Sequence, residues 1–301
     1  MKPRYTLLTV TYAIALSGLT GYSLLDTFVF QVGGTSGSQI LSSTSSSSLS
    51  SITPTFTEFG YQDSELTIHI DVIRRYETQV YIAKVTTDNH RFLKSAFGMD
   101  TYGKNFKEKT SVMATRKQAL FAVNGDYYGF RDVGFVVRNG IVYRVTPRPS
   151  GTDDAILLND DGIMLSFKEQ NTPLQTLQTL FPWQVWSFGP LLIDQGQLKV
   201  NPSTKVPYEL SSNPRTAIGQ ISDREYLFVV SDGRTEESAG LSVYELASIF
   251  IEYQARFAYN LDGGGSATMW FNGRVINKPV NSGSTISERS ISDIIYVGYA
   301  L

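Results

Sequence analysis

Residues 257–277 read FAYNLDGGGSATMWFNGRVIN. An apolar, β-rich run, FAYNLD, ends in Asp262 and three glycines, and a second β-rich run follows with Asn272-Gly273 inside it. Glycine weakens strands and helices, so three together need a local reason: a sharp turn, or bare backbone brought close to a ligand. Asn-Gly flanked by β-formers is a hairpin signal, so these glycines lead from strand to strand and open no helix. That excludes the usual phosphate-binding loop, which begins a helix and carries a lysine absent here. Two readings stay open. Consecutive amides, with the Ser266 and Thr268 hydroxyls, can form a concave anion nest, or the segment is a tight turn packed on neighbouring backbone.

Working outward, the same devices recur. GFVVRNGIVYR turns at Asn139-Gly140, and GPLLIDQGQLKV turns near Gln195-Gly196. VYIAKVT, ALFAVN, TAIGQI, EYLFVVSD and DIIYVGY read as further strands. Helices are fewer. Thr172-Pro173 marks one start, with proline in the first turn. The clearest helix spans 243–255, where Ser242 and Glu245 make a capping box and Leu246, Ala247, Phe250, Ile251 and Tyr253 supply a broad apolar side. Hairpins with a few helices predict an α+β fold: mixed, largely antiparallel sheets with a few packed helices.

The N-terminus is different. Tyr5 to Leu25 contains no charged residue, and as a helix it would span about 30 Å, the thickness of a bilayer core. Lys2 and Arg4 before it favour an internal N-terminus and an external remainder. A transmembrane helix within a 1–30 anchor is therefore expected, with a cleaved signal segment as the rival reading. Residues 31–57, including SSTSSSSLSS, have too little apolar surface to offset the entropy of ordering and read as a flexible linker. The folded domain is then 58–301.

Composition narrows the chemistry. There are 26 basic and 28 acidic residues and no long basic run, which argues against nucleic acid as a partner. Cysteine is absent and only two histidines occur, His69 and His90. His69 alternates with Leu66, Ile68, Ile70 and Val72 and so points to solvent, while His90 sits in a turn. Thiol nucleophiles, zinc–cysteine sites and a serine–histidine triad are thereby set aside. Carboxylates, arginine, tyrosine and backbone must carry any reaction.

Three places suit that chemistry. Besides the glycine segment, FAVNGDYYG (121–129) runs an apolar strand into Asn124, Gly125 and Asp126, followed by Tyr127 and Tyr128. Aromatic faces beside a carboxylate suit a sugar. Arg215, Arg234 and Arg289 lie in polar contexts, and a guanidinium fork suits phosphate. Asp232, like Asp262, follows an apolar strand. Each feature singly is as readily structural, as a turn or a surface ion pair.

Together, FAVNGDYYG, GPLLIDQGQL, PRTAIG, VVSDGR, GLSVYELASIF, NLDGGGSATM and ERSISDIIYVG occur in the order found in the phosphodiester glycosidase family, which the chain resembles over roughly 65–301. Tyr127 and Tyr128 stand where phenylalanine is common, and SDGR where VDGR is often found. The resemblance implies hydrolysis between an anomeric carbon and a phosphodiester oxygen. By motif it implies catalytic Asp262, Asp126 and Asp232. It also implies substrate contacts from Asn124, Tyr127, Arg215, Arg234, Gly263, Gly264, Gly265, Ser266, Thr268 and Arg289. No cofactor is required by this reading, although the aspartates and Asn124 offer hard ligands for a divalent cation. The expected substrate is a glycosyl phosphate or polysaccharide at the outer face of a membrane, fitting a Gram-positive surface. The alternative is a non-catalytic glycan-binding or exopolysaccharide-assembly protein.

Overall fold

The computed structural model describes residues 53–206, 211–283 and 285–300. The anchor expected at 1–30 and the linker as far as residue 52 lie outside the described residues. Among those described, no helix is long and apolar enough to cross a membrane. The last residues of the expected linker, Thr55–Thr57, form an edge strand paired with Gly60–Gln62.

A nine-stranded sheet dominates. Its order is Thr55–Thr57, Gly60–Gln62, Leu66–Arg75, Thr78–Thr87, Glu225–Ser231, Thr216–Ser222, Phe257–Asn260, Leu191–Asp194 and Gln197–Leu198. A five-stranded sheet runs Arg274–Val275, Met269–Phe271, Phe121–Asn124, Asp293–Val297 and Leu93–Phe97. Another runs Met164–Lys168, Asp154–Asn159, Pro182–Trp186, Val136–Arg138 and Ile141–Arg144. Every pairing within these three sheets is antiparallel. The expected hairpins at Asn139-Gly140, Gln195-Gly196 and Asn272-Gly273 all form, and Asn139, Gln195 and Asn272 adopt positive φ.

Period-two alternation assigns the two faces of each strand. Tyr81, Ala83 and Val85 face a central core with Tyr226, Phe228 and Val230, while Val80, Ile82, Leu227 and Val229 face the helix Val243–Glu252. These strands are buried on both sides, which is why they read as unbroken apolar runs. Phe121, Val123, Ile295, Val297, Met269 and Phe271 close the central core from the five-stranded sheet beyond it. The other face of that sheet carries Ala122, Ile294, Tyr296 and Trp270 against Met113 and Ala114 of the helix Thr110–Arg116. The layers thus run helix, sheet, sheet, helix. The third sheet adds Ile156, Leu158 and Trp186 to the central core and packs Val137, Leu157 and Val185 on Leu177 of the short helix Leu174–Gln178.

Helix Val243–Glu252 starts where its capping box requires, with Ser242 accepting from the Glu245 amide and Glu245 accepting from the Ser242 amide. It ends at Glu252, three residues short of expectation, with Tyr253 as its C-cap. Gln254 takes positive φ, and the Ala255 amide donates back to Phe250. The Phe250 ring lies over Gly219 so closely that a β-carbon there would sit 2.7 Å from it and 2.5 Å from the Phe257 carbonyl. Gly219→Ala is expected to destabilise the protein by about 1–3 kcal/mol through overpacking. Thermal unfolding checks this, and an unchanged Tm contradicts it.

Candidate active site

The glycine segment joins Phe257–Asn260 of the large sheet to Met269–Phe271 of a different sheet. The crossing is a short 3₁₀ turn, Gly264–Ser266. Both readings of the glycines apply here, at different atoms. Gly264 adopts φ +58°, a left-handed conformation suited to glycine. A β-carbon on Gly264 would lie 2.7 Å from Nη2 of Arg234, and one on Gly265 would lie 2.7 Å from Nη2 of Arg289. Bare backbone therefore admits two guanidinium groups. The amide nest is smaller than expected, because the amides of Gly264, Ser266 and Ala267 donate to the carbonyls of Pro214, Gly263 and Gly264. Cations assemble at this bend, where bare amides were expected to do the binding.

Arg234 and Arg289 are each oriented by a neutral amide. Arg234 Nε donates to Asn213 Oδ1 at 2.9 Å, and Arg289 Nε donates to Asn281 Oδ1 at 2.9 Å. Each amide fixes the plane of its guanidinium group. Asp262 is held through its main chain. Its carbonyl accepts from Asn124 Nδ2 at 2.6 Å, while Asn124 Oδ1 accepts from Thr216 Oγ1 at 2.7 Å and from the Thr268 amide at 3.2 Å. Asn124 is fully buried and ties the ends of both sheets together at Asp262.

These groups border a cavity of about 840 Å³. Of the residues expected from sequence, Tyr127, Arg234, Asp262, Gly263, Gly264 and Arg289 line it. Tyr127, at φ +70°, is 39% exposed and stacks on Phe130 with ring centroids 4.7 Å apart. The lining also includes residues that the sequence reading missed: Arg131, Arg148, Asp154, Phe188 and Lys205. Arg148 forms a buried pair with Glu169 (Nε–Oε1 2.9 Å). Tyr259 accepts from the Phe188 amide at 2.7 Å and donates to the Asp154 carbonyl at 2.6 Å. Burial pushes its phenol up to about 12, so it stays neutral as a brace. Asn260 Nδ2 adds a bond to the Gly189 carbonyl at 2.7 Å. The strand leading to Asp262 thus also fixes this part of the lining.

Seven expected site residues stand behind the lining. Asn124, Gly265, Ser266 and Thr268 are buried supports of the crossing. Arg215 is 1% exposed and donates through Nε to the Leu241 carbonyl at 3.0 Å. Asp232 is 3% exposed, accepts from the Lys278 amide at 2.7 Å and from Tyr81 Oη at 3.3 Å, and burial raises its carboxyl above the ordinary range. Asp126 differs most from its expected place. It is wholly buried, its Oδ1 meets Arg138 Nη2 at 2.9 Å, and its Oδ2 accepts from the Ser187 amide at 2.7 Å. Asp293 lies 2.8 Å from the same guanidinium nitrogen. A buried arginine needs this compensation, and the NGD motif supplies it under the site. Among the described residues, no group of three or more His, Asp or Glu side chains could hold a metal ion.

The cavity thus lies at the ends of strands and places Asp262 beside a bend flanked by two guanidinium groups. The chain belongs to the phosphodiester glycosidase family, whose pattern matches residues 117–298, and members of that family are hydrolases. Its relatives include an uncharacterized SPbeta prophage-derived protein, YomE, of Bacillus subtilis, 27% identical over 66% of this chain and 31% of the relative. Another is mouse N-acetylglucosamine-1-phosphodiester α-N-acetylglucosaminidase, 29% identical over 38% of this chain and 23% of the relative. The matched region thus spans less than a third of either relative's length. The fold is shared with the pro-peptide-inhibited catalytic domain of the zebrafish N-acetylglucosamine-1-phosphodiester α-N-acetylglucosaminidase. There the TM-score is 0.61 at 21% identity, over 78% of this chain and 83% of that one. A hypothetical protein from Synechocystis gives a TM-score of 0.57 at 17% identity, over 77% of this chain and 62% of that one.

The buried Asp126–Arg138–Asp293 group generates a pH prediction. Burial pushes the Asp293 carboxyl up to about 6, with Arg138 opposing the rise and Asp126 adding to it. Between 3.8 and about 6 the native state holds a proton that the unfolded chain has released. This group's contribution to stability is therefore fully present below that window and is lost as pH rises through it. The Tm of the wild type relative to Asp293→Asn should rise on acidification from pH 7 to 4.5. A pH-independent difference contradicts the assignment.

Proposed function

We propose that the cavity hydrolyses the bond between an anomeric carbon and a phosphodiester oxygen. The observation carrying this reading is Asp262 beside a glycine bend on which Arg234 and Arg289 pack. The phosphodiester lies against the two guanidinium groups, which offset the charge gathering on the departing oxygen. The sugar lies toward Tyr127 and Phe188, whose rings suit its C–H faces. Asp262 stabilises the oxocarbenium-like carbon or activates water. The C1–O bond breaks and its electron pair leaves with the phosphate. Water supplies the hydroxyl that ends on the sugar, and its second proton passes to solvent.

A phosphate leaving group is only weakly basic, so the reaction does not demand a positioned acid. That agrees with Asp126 and Asp232 standing behind the wall: Asp126 holds Arg138 and the Ser187 amide, and Asp232 anchors the segment at Lys278. Asp154, the other carboxylate on the lining, is occupied by Lys168 at 2.8 Å. In this reading no bound metal takes part in the chemical step. Asp262→Asn is expected to reduce kcat on a glycosyl phosphodiester by about 10²-fold or more while Tm is kept. A folded variant with near-wild-type turnover contradicts the role. Wild-type binding of the glycan with no release of sugar would instead mark a non-catalytic glycan-binding protein.

The apolar stretch from Tyr5 to Leu25 and the serine-rich segment after it support a place on the outer face of a membrane, of a Gram-positive cell by their pattern. The substrate would then be a phosphodiester-linked surface glycan or exopolysaccharide. Protease added to intact cells is expected to remove the domain from the membrane fraction. Full protection in intact cells contradicts that location.

A further inference from the structure

The cavity holds a cationic group that the reaction above does not use. Arg131 lines the cavity and closes the short turn that Tyr127 opens. Its guanidinium carbon lies 6.0 Å from the centre of the Phe188 ring. Its Nη2 donates to the Asp126 main-chain carbonyl at 3.2 Å, and its Nε is buried with no hydrogen-bond partner. Among the described residues no carboxylate side chain pairs with it. The neighbouring Arg148 is different, because Glu169 balances it. The Asp126 carboxylate lies near enough to favour the cation but is held by Arg138, so a half-buried guanidinium on the cavity wall keeps capacity for a ligand anion.

The position decides which part of the substrate could do so. On the reading just given, and resting on it, the phosphodiester occupies Arg234 and Arg289, and the sugar lies among Tyr127 and Phe188. Arg131 belongs to the aromatic, sugar-binding wall. Lys205 adds a second cation to the described lining beside Arg131. We propose that Arg131 is a specificity-determining residue for a carboxylate on the sugar, so that the preferred glycosyl group is an acidic sugar of the hexuronic type. The carboxylate would accept from the part of the guanidinium that lines the cavity, in a charge-assisted hydrogen bond. Burial lowers the pKa of Arg131 from its usual value, with the Asp126 charge opposing the fall.

UDP-glucuronate and UDP-glucose test this directly, since they share a leaving group and differ only in a carboxylate at C6. The full-length protein is expected to show a kcat/KM for UDP-glucuronate higher by about tenfold or more, the scale of one charge-assisted hydrogen bond. Most of the difference should lie in KM. Arg131→Gln should bring the ratio of the two substrates close to one, and Arg131→Lys should restore part of the preference. Equal kcat/KM values on the wild type overturn the acidic-sugar proposal while leaving the hydrolase reading intact. If neither substrate turns over, the hydrolase reading fails, and calorimetric binding of the two nucleotides still decides the proposal. Tighter binding of UDP-glucuronate that is lost in Arg131→Gln supports it, and equal binding overturns it. An Arg131→Gln variant whose Tm matches the wild type but whose preference is unchanged also overturns it.

Discussion

Two guanidinium groups rest against main chain at places where any other residue would put a β-carbon. The site depends on that close approach. Arg234 needs the space over Gly264 and Arg289 the space over Gly265, while Gly264 also needs its left-handed φ. A single alanine would move a cation, and moving either cation changes the potential at Asp262. The glycines therefore act through what they leave empty. This explains why a segment so poor in side chains sits between two sheets at the wall of the cavity.

The second constraint is the fixing of Asp262. The crossing from one sheet to another would be loose without Asn124, whose amide bridges the Asp262 carbonyl, Thr216 and the Thr268 amide. Below it, Arg138 shared by Asp126 and Asp293 locks the NGD segment to the last strand. Two residues that look catalytic by type, Asn124 and Asp126, thus act through position: they hold the segment that presents Asp262 to the cavity. Pre-organisation of this kind keeps the reorganisation that accompanies charge development small.

Much of this was legible in the sequence, for identifiable reasons. The Asn-Gly turns and the Ser242–Glu245 capping box are local devices, and the structure reproduces them. The strand-then-Asp-Gly pattern pointed to the right crossing and to Arg234, Arg289 and Tyr127. It could not separate Asp262 from Asp126 and Asp232, because all three follow apolar strands and differ only in what packs behind them. Arg138, buried in an ordinary hairpin strand, carries no local sign that it will claim two carboxylates. The rest of the lining was missed for a related reason: Arg131, Arg148, Asp154 and Phe188 come from a different sheet and its loops, and only tertiary packing brings them to the cavity. The flanking prolines of Arg148 and the glycine at 151 were the available signal, and they mark a loop without saying what it faces.

The account stands on the substrate lying with its phosphate between Arg234 and Arg289 and its anomeric carbon at Asp262. A crystal structure of an inactive Asp262 variant holding an uncleaved glycosyl phosphodiester measures this most directly. The account predicts phosphate oxygens within hydrogen-bond distance of both guanidinium groups, the sugar ring against Tyr127, and residue 262 as the carboxyl position nearest C1. A ligand whose phosphate contacts neither arginine, or whose anomeric carbon lies nearest Asp154, contradicts it.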